Sequence, residues 1–237
     1  MNLHKIAGLT VDMGYKYETM KRQAQAYKVD EVCDKPDMKI YIPDEVIEKK
    51  QKEEPLLTLD NCEYLYTGSV FYSGLLYFGG FMLHSSAVIM DDVAYLFTAD
   101  SGTGKSTHTS LWQQAFGKEK AQILNDDKPA IRIGEDGIFA CGTPWSGKTD
   151  LNINRIVPVG AIGFLERSRE NWIERKQGGE MVGKLLKQTA RPPEQAEMDA
   201  LLRYIDIVLK EVPVYSLGVN MTTDAAKMAY EAMSKGK

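Results

Sequence analysis

The feature that most constrains this chain is a glycine-rich loop between a predicted strand and a predicted helix. The loop is residues 99–106, with the sequence Ala-Asp-Ser-Gly-Thr-Gly-Lys-Ser, and it joins an apolar run at 93–98 to a helix-like run at 107–116. A glycine-rich loop at the start of a helix is typical of phosphate binding, because unpaired N–H groups and positive potential meet there. Lys105 can reach the β- and γ-phosphates, and the Ser106 hydroxyl suits Mg²⁺. These residues predict a nucleoside triphosphate site.

A second loop, residues 142–149, matches the strict pattern Gly-x-x-x-x-Gly-Lys-Ser/Thr, whereas the first loop has Ala99 in place of the first glycine. The residues after Thr149 are rich in Asn and β-branched side chains and are stopped by Pro158, so they form a poor helix. Without a helix start, the second loop loses much of its affinity for anions. We therefore predict that residues 99–106 bind the nucleotide.

The second loop is expected to be an accessory segment of the site. Lys148 could contact a phosphate or the acceptor, and Trp145 could pack against a ligand. The alternative is a tight loop in which Trp145 is a packing anchor. Phosphoryl transfer often uses a further cation at the γ-phosphate, and three arginines near predicted strand ends are candidates between which the sequence does not choose. They are Arg132, Arg155 and Arg167.

Two adjacent acidic residues, Asp126 and Asp127, come directly after a short apolar strand predicted at residues 121–124 and one asparagine. Ligands bind at strand ends in open α/β sheets. One carboxylate could join Ser106 in holding Mg²⁺, and its neighbour could accept a proton from an attacking hydroxyl. A solvated Asn-Asp-Asp turn is the alternative. His84 lies in an uncharged stretch, and it is either catalytic or a structural hydrogen-bonding residue.

Composition excludes several classes of protein. The chain has 237 residues, 43% of them hydrophobic, and a net charge of −4, which gives no electrostatic case for nucleic-acid binding. The three cysteines are far apart, so we expect neither disulfides nor a zinc site. Residues 64–90 lack charged side chains, but glycines and serines interrupt them, so we expect no membrane span. The N-terminus lacks the apolar run of a secretory signal, and we expect a cytoplasmic location.

The pattern of elements predicts a mixed α/β fold with a strand-rich core and helices towards both ends of the chain. We predict an N-terminal α/β segment at residues 1–60 packed on a nucleotide-binding domain at residues 61–237, with one continuous domain, 1–237, as the alternative.

Three predictions of strands depend on runs of apolar residues. Residues 6–13 and residues 81–90 are each expected to form one strand. The second of these should turn at Asp91-Asp92 into the strand that leads to the glycine-rich loop. Residues 156–165 are expected to form a long strand with which residues 172–175 pair.

The order of three motifs resembles the catalytic domain of HPr kinase/phosphorylase. They are Leu83-His84-Ser85, the loop Asp-Ser-Gly-Thr-Gly-Lys-Ser at 100–106, and Asn125-Asp126-Asp127. ATP-dependent phosphoenolpyruvate carboxykinases have a similar loop and acidic pair. The segment at 142–148, Gly-Thr-Pro-Trp-Ser-Gly-Lys, is similar to one in HPr-kinase-related proteins of bacteria. The resemblance covers about residues 80–165.

The resemblance implies a P-loop core of the phosphoenolpyruvate carboxykinase type and a role for each site residue. Lys105 and the loop amides would hold the triphosphate of ATP, with GTP left open, and Ser106 would ligate Mg²⁺. Asp126 would match the proton-accepting carboxylate, Asp127 a carboxylate on the metal side, and His84 the histidine beside the site. The residues expected to contact the nucleotide are Ser101, Gly102, Thr103, Gly104, Lys105, Ser106 and Thr107.

The predicted function is therefore ATP- and Mg²⁺-dependent phosphoryl transfer to a serine-like hydroxyl on a protein, a peptide or a small molecule. The Leu-Glu-Ile-Arg-Gly-x-Gly signature of HPr kinases is absent, and residues 142–149 stand in roughly that region, so the acceptor is left open. Two alternatives are a non-catalytic nucleotide-binding accessory module and a small-molecule, carboxykinase-like enzyme. HPr kinases assemble, so a homo-oligomer is a further expectation.

Overall fold

The computed structural model describes residues 2–30 and 33–235, which form two β-sheets and seven α-helices. The strands are β1 Leu3–Ile6, β2 Leu9–Met13, β3 Met38–Ile40, β4 Gly80–Met82, β5 Ser85–Met90, β6 Val93–Thr98, β7 Gln122–Asn125, β8 Ala130–Gly134, β9 Gly137–Cys141, β10 Ile156–Arg167, β11 Trp172–Lys176 and β12 Val214–Val219. The helices are α1 Glu18–Gln23, α2 Asp44–Glu53, α3 Leu59–Leu75, α4 Lys105–Phe116, α5 Gly178–Lys187, α6 Gln195–Glu211 and α7 Thr223–Ser234.

The larger sheet is mixed and is organised around β10. The start of β10 pairs antiparallel with β9, and the rest of it lies between β6 and β12, parallel to both. The strand order is β4-β8-β9-β10-β6-β5-β7, with β12 and β11 joined through β10. A single twelve-residue strand can pair with β9 at its start and with β6 and β12 further along because sheets twist along their strands. The predicted mixed α/β fold is confirmed.

Helices cover both faces of the β5-β6-β10-β12 region. On one face α4 and α7 bury Trp112 and Ala229 against Phe97 of β6. On the other face α5 and α6 bury Leu185 and Ile205 in a cluster with the opposite side chains of the same strands. The apolar residues of α6 recur every three or four positions, as expected of a helix with one buried face. In the described part of the chain, no helix is both long and apolar enough to cross a bilayer.

The smaller sheet, with the order β1-β2-β3, packs with α1 and α3 beside the larger sheet. One buried cluster contains Val11 and Met20 together with Phe71, Leu75 and Trp145. These side chains come from both sides of the boundary predicted at residue 60. The division into two domains stays a prediction.

The predicted single strand at residues 6–13 is wrong, because these residues belong to a hairpin. β1 and β2 pair antiparallel, with Ile6 opposite Leu9. Ala7 and Gly8 form the turn and have φ angles of 52° and 80°. A two-residue turn of this type needs positive φ at both positions, and alanine rarely adopts it, so composition gave no signal for the turn.

The predicted single strand at residues 81–90 is also wrong, because the chain changes partners at Leu83 and His84. β4 pairs with β8, whereas β5 pairs with β6 and β7. At the break the Leu83 N–H donates to Pro129 O, and the His84 N–H donates to Gln188 O. The predicted turn at Asp91-Asp92 between β5 and β6 is confirmed.

The prediction that residues 172–175 pair with the long strand is wrong as well. β11 pairs antiparallel with β12, and β12 lies between β11 and β10. β12 comes much later in the chain, after α5 and α6, and inserts parallel to β10. Local sequence favours a hairpin between neighbouring strands, and only tertiary packing places a later strand between them.

Candidate functional site

Four strand ends meet at one edge of the larger sheet and bring the predicted site residues together. β10 is parallel to β6, and β5 is antiparallel to both β6 and β7. The carboxyl ends of β6, β7 and β10 therefore lie beside the start of β5. The glycine-rich loop at 99–104 leaves β6 at this edge, Asp126 and Asp127 follow β7, and His84 precedes β5. Motifs that are separated in the sequence thus lie together in one cluster.

The loop has the backbone geometry that its glycines allow. Gly102 and Gly104 have φ angles of 77° and 121°, which L side chains rarely adopt. α4 begins at Lys105, and no side chain caps it. The first N–H groups of an α-helix have no partner within the helix, so they can bind an anion. The loop is therefore shaped as a phosphate cradle at a helix start.

Lys105 is held inside the loop. Its side chain is only 8% exposed, and Nζ donates to Ala99 O at 3.0 Å. Burial lowers the pKa of Lys105, while the charges of Asp127, Asp100 and Asp126 act in the opposite direction. A buried lysine whose pKa is shifted by burial and by nearby carboxylates is a candidate functional residue.

Of the three candidate arginines, the structure brings Arg167 to the loop. Its Nη2 donates to Gly102 O at 2.6 Å, and its Nε donates to Thr103 O at 3.3 Å. Arg132 donates to a backbone carbonyl in the β1–β2 turn, and Arg155 pairs with an aspartate of the β5–β6 turn. Arg167 therefore fixes the loop from the end of β10.

Asp126 is held by hydroxyl groups. Its Oδ1 accepts from Ser86 Oγ at 2.6 Å, and its Oδ2 accepts from Thr149 Oγ1 at 2.8 Å. Ser86 Oγ also lies 2.7 Å from Thr109 Oγ1 on α4, one helical turn after Lys105. Asp126 is 6% exposed. This chain of hydrogen bonds fixes Asp126 relative to the helix that starts at the loop.

Asp127 is more accessible and lies beside His84 and Lys128. Its Oδ1 is 3.3 Å from His84 Nε2, and its Oδ2 pairs with Lys128. Burial raises the pKa of Asp127, but the hydrogen bond from His84 and the charge of Lys128 outweigh it, so the pKa is lowered overall. The other ring nitrogen of His84 lies 3.2 Å from Gln188 Oε1, and Gln188 Nε2 donates to Asp100 Oδ1 at 3.4 Å. His84 thus links Asp127 to the loop.

Two residues at this edge could hold a metal ion such as Mg²⁺. Ser106 is exposed at the start of α4, and Asp127 is partly exposed, so the site offers a hydroxyl and a carboxylate. Among the described residues, no group of three or more His, Cys, Asp or Glu could hold a metal. Mg²⁺ at phosphate sites is usually held by one or two carboxylates plus the phosphates and waters.

A cavity of about 420 Å³ lies beside the loop and the start of α4. Thr107 and Leu111 of α4 line one side of it, and Arg167, Val219 and Met221 line the other. Its volume lies in the range of small-molecule pockets, and its lining combines apolar and polar groups.

No α-helix begins at the end of the second loop, residues 142–149. Gly147–Thr149 forms a single 3-10 turn. The Trp145 ring is fully buried, stacks on Phe71 at 4.8 Å and donates its indole N–H to Thr67. This is the packing role that we weighed for Trp145, and its contact with a ligand stays a prediction. Lys148 is exposed on the same loop.

The glycines of the second loop have packing reasons. A Cβ at Gly142 would lie 1.8 Å from Ile153 O. A Cβ at Gly147, whose φ is 72°, would lie 2.9 Å from Cβ of Asp127. The second loop thus packs directly against Asp127, which gives its glycines a structural role.

We expect Gly142→Ala to destabilise the protein by about 1–3 kcal/mol, because the added methyl group meets the backbone carbonyl of Ile153. The measurement is the free energy of unfolding in urea. Gly179→Ala is the matched control, since a Cβ there meets nothing within 4 Å. Equal stabilities of the two variants would show that residues 142–153 can move apart freely.

Several residues of the site were not found from the sequence. They are Ser86, Thr109, Lys128 and Gln188. Lys128 adjoins the acidic pair and could have been proposed on that ground. The others belong to separate elements, and nothing in their local sequence marks them.

Comparisons with known proteins find similarity among solved structures only. No family model matches the chain, and no curated protein matches it. Among solved structures, the Hpr(Ser) kinase/phosphatase from Coxiella burnetii is similar, with a TM-score of 0.37 and 10% sequence identity. The match covers 64% of this chain and 97% of that chain. The function of this chain is therefore inferred from its own residues.

Proposed function

We propose that this protein transfers the γ-phosphoryl group of ATP to a hydroxyl group in a Mg²⁺-dependent reaction. The observation that carries the proposal is the position of Lys105 at the start of α4, the helix that Thr109 and Ser86 join to Asp126 by hydrogen bonds. A cation for the phosphates and carboxylates for metal and proton are the parts that phosphoryl transfer requires.

The loop would bind the phosphates of the nucleotide, and the cavity beside the loop would bind its nucleoside. The amides of Gly102 to Ser106 and the Lys105 ammonium would bind the phosphates. The cavity of about 420 Å³ would take the nucleoside, with Leu111 and Val219 against the base. Arg167 would stiffen the loop through its two bonds to loop carbonyls. A cradle that is already formed needs little reordering when the nucleotide binds.

Each acidic residue has one proposed role. Asp126 would accept the proton of the attacking hydroxyl at Oδ2, while Ser86 holds Oδ1 in place. Asp127 and Ser106 would hold Mg²⁺, which would neutralise charge on the phosphates. His84 would keep Asp127 oriented through its contact of 3.3 Å. Positioning and charge stabilisation would supply most of the rate.

The acceptor would be a serine-like hydroxyl on a protein, a peptide or a small molecule. Use of GTP in place of ATP, assembly into homo-oligomers and a cytoplasmic location stay predictions from the sequence. A non-catalytic nucleotide sensor would need the loop and the metal site but not a proton acceptor, so a measurement of transfer separates it from a kinase.

The test is transfer of a radiolabelled γ-phosphate from ATP to a panel of hydroxyl-bearing proteins, peptides and small molecules, with and without Mg²⁺. We expect label in at least one acceptor, and loss of that label when EDTA removes the metal. The binding of ATP is measured in parallel by calorimetry. Tight binding of ATP with no consumption of its γ-phosphate would favour the sensor, and absence of binding would contradict the proposal.

A further inference from the structure

The Thr149 side chain carries a hydroxyl group that contacts Asp126 of the acidic pair. Its Oγ1 lies 2.8 Å from Asp126 Oδ2 and 3.4 Å from Ser146 O. The residue is exposed, in contrast to the other hydroxyl partner of Asp126, the fully buried Ser86. Thr149 therefore approaches Asp126 from the solvent side, which is the side from which an acceptor must come.

The loop is built to hold Thr149 there. Gly147 packs against the side chain of Asp127 so closely that a Cβ would lie 3.1 Å from Cγ of Asp127. The Gly147 N–H donates to the Tyr64 hydroxyl at 2.9 Å. After Thr149 the chain turns sharply at Asp150, whose φ is 56°. These constraints place a threonine hydroxyl of this chain where the proposed reaction needs an acceptor hydroxyl.

We propose that Thr149 is itself a phosphoryl acceptor, so that the protein modifies its own second loop. This inference rests on the proposed function, because it uses Asp126 as proton acceptor. Nothing in the proposed function requires it, since a kinase can hold an exposed hydroxyl near its base without using it.

The step balances with ATP as the only co-reactant. Thr149 Oγ1 forms a bond to the γ-phosphorus, and the bond from that phosphorus to the β–γ bridging oxygen breaks. The electron pair of that bond leaves with ADP. The proton of the hydroxyl passes to Asp126 Oδ2, with which it already forms a hydrogen bond. The products are ADP and phosphothreonine at position 149.

Other hydroxyls near the site are worse acceptors. Ser86 and Thr109 are buried and bonded to each other, and Ser106 is assigned to the metal. A phosphate on Thr149 would add about 1.5–2 negative charges next to Asp126 and Asp127. Repulsion would then drive the loop away from the carboxylates, so modification would open the site to other acceptors.

The experiment incubates the purified full-length protein with Mg²⁺ and γ-labelled ATP, without an added acceptor, and maps phosphate by mass spectrometry. We expect phosphothreonine at position 149 in the wild type. Thr149→Val should lose this label completely, and Thr149→Ser should carry phosphoserine at the same position. Lys105→Met, which removes the phosphate-binding cation, should be unlabelled.

Binding of ATP and consumption of its γ-phosphate, with the acceptor panel present, are measured on the same samples. Wild-type protein that consumes ATP but carries no phosphate at position 149 would overturn the inference and leave the proposed function standing. Phosphate on another residue with equal yield in Thr149→Val would overturn it as well. Failure to bind ATP would overturn both. The Thr149→Ser variant keeps the test valid if Thr149→Val does not fold.

Discussion

Replacing Lys105 by methionine is expected to weaken the binding of Mg²⁺·ATP about 10- to 100-fold. Hydrogen bonds to charged groups contribute about 1.5–3 kcal/mol each, and about 1.4 kcal/mol corresponds to a tenfold change in affinity. The effect should be large because Lys105 is 8% exposed, so water screens its charge poorly. Methionine is an unbranched side chain of similar length, and the fold should survive because the substitution leaves no buried cation behind. Calorimetric titration with Mg²⁺·ATP measures the change.

Lys118→Met is the matched control for this prediction. Lys118 is exposed just after α4, outside the loop and the cavity, and its replacement should leave the affinity unchanged. The same titration with AMP should show little difference between wild type and Lys105→Met, because AMP lacks the phosphates that Lys105 would contact. An unchanged affinity of Lys105→Met for ATP would mean that the nucleotide binds elsewhere.

Asp126→Asn is expected to lower the turnover number about 10²- to 10⁴-fold while the affinity for ATP changes little, because loss of a general base has an effect of this size. Asn should keep the local structure, since its amide can accept from one hydroxyl and donate to the other, in the places where Ser86 and Thr149 now donate. Turnover is followed as ADP release with the best acceptor from the panel, and binding is followed by calorimetry.

Asp136→Asn, in the exposed turn between β8 and β9, is the matched control and should behave as the wild type. If Asp126→Asn kept full turnover, Asp126 would not be the proton acceptor. If the wild type itself bound ATP without turnover, the protein would be a sensor. A joint loss of binding and stability would instead assign Asp126 to holding the fold through its two hydroxyl partners.

The sequence was most informative where a short stretch carries its own structural signal. The loop at 99–106 was predicted from the strand before it and the helix after it, and α4 does begin at Lys105. The preference for this loop over residues 142–149 relied on the poor helix propensity after Thr149, and the structure has only a single 3-10 turn at Gly147–Thr149. Our choice between the two loops therefore depended on helix propensity, because the strict sequence pattern alone would have selected residues 142–149.

The sequence was least informative where partners are distant. No local signal predicts that β12 lies between β10 and β11. Nor does one predict that the chain leaves its pairing with β8 at Leu83 and changes partners. The choice of Arg167 among three arginines also depended on which strand end lies beside the loop. Such pairings follow from tertiary packing, which overrides the local preferences that a single sequence displays.

The candidate site shows the same contrast between residues marked by local motifs and partners brought in from distant elements. The motifs fixed which residues to consider, namely His84, Lys105 and the acidic pair. The hydroxyl network of Asp126 and the contact of Gly147 with Asp127 were not predicted, because the partners come from β5, α4 and the second loop. Glycine at position 147 matches a phosphate-binding pattern in the sequence, and its close approach to the Asp127 side chain gives it a structural role there.

Phosphate binding by residues 99–106 is tested by titrating the assigned amide NMR spectrum with inorganic triphosphate in the presence of Mg²⁺. If residues 99–106 are the cradle, the largest shifts should fall on the amides of Gly102, Gly104 and Lys105, with smaller shifts at Asp127. The amides of Gly142, Thr143, Trp145 and Ser146 should move little. The largest shifts at residues 142–149, or no shifts at residues 101–106, would contradict the account.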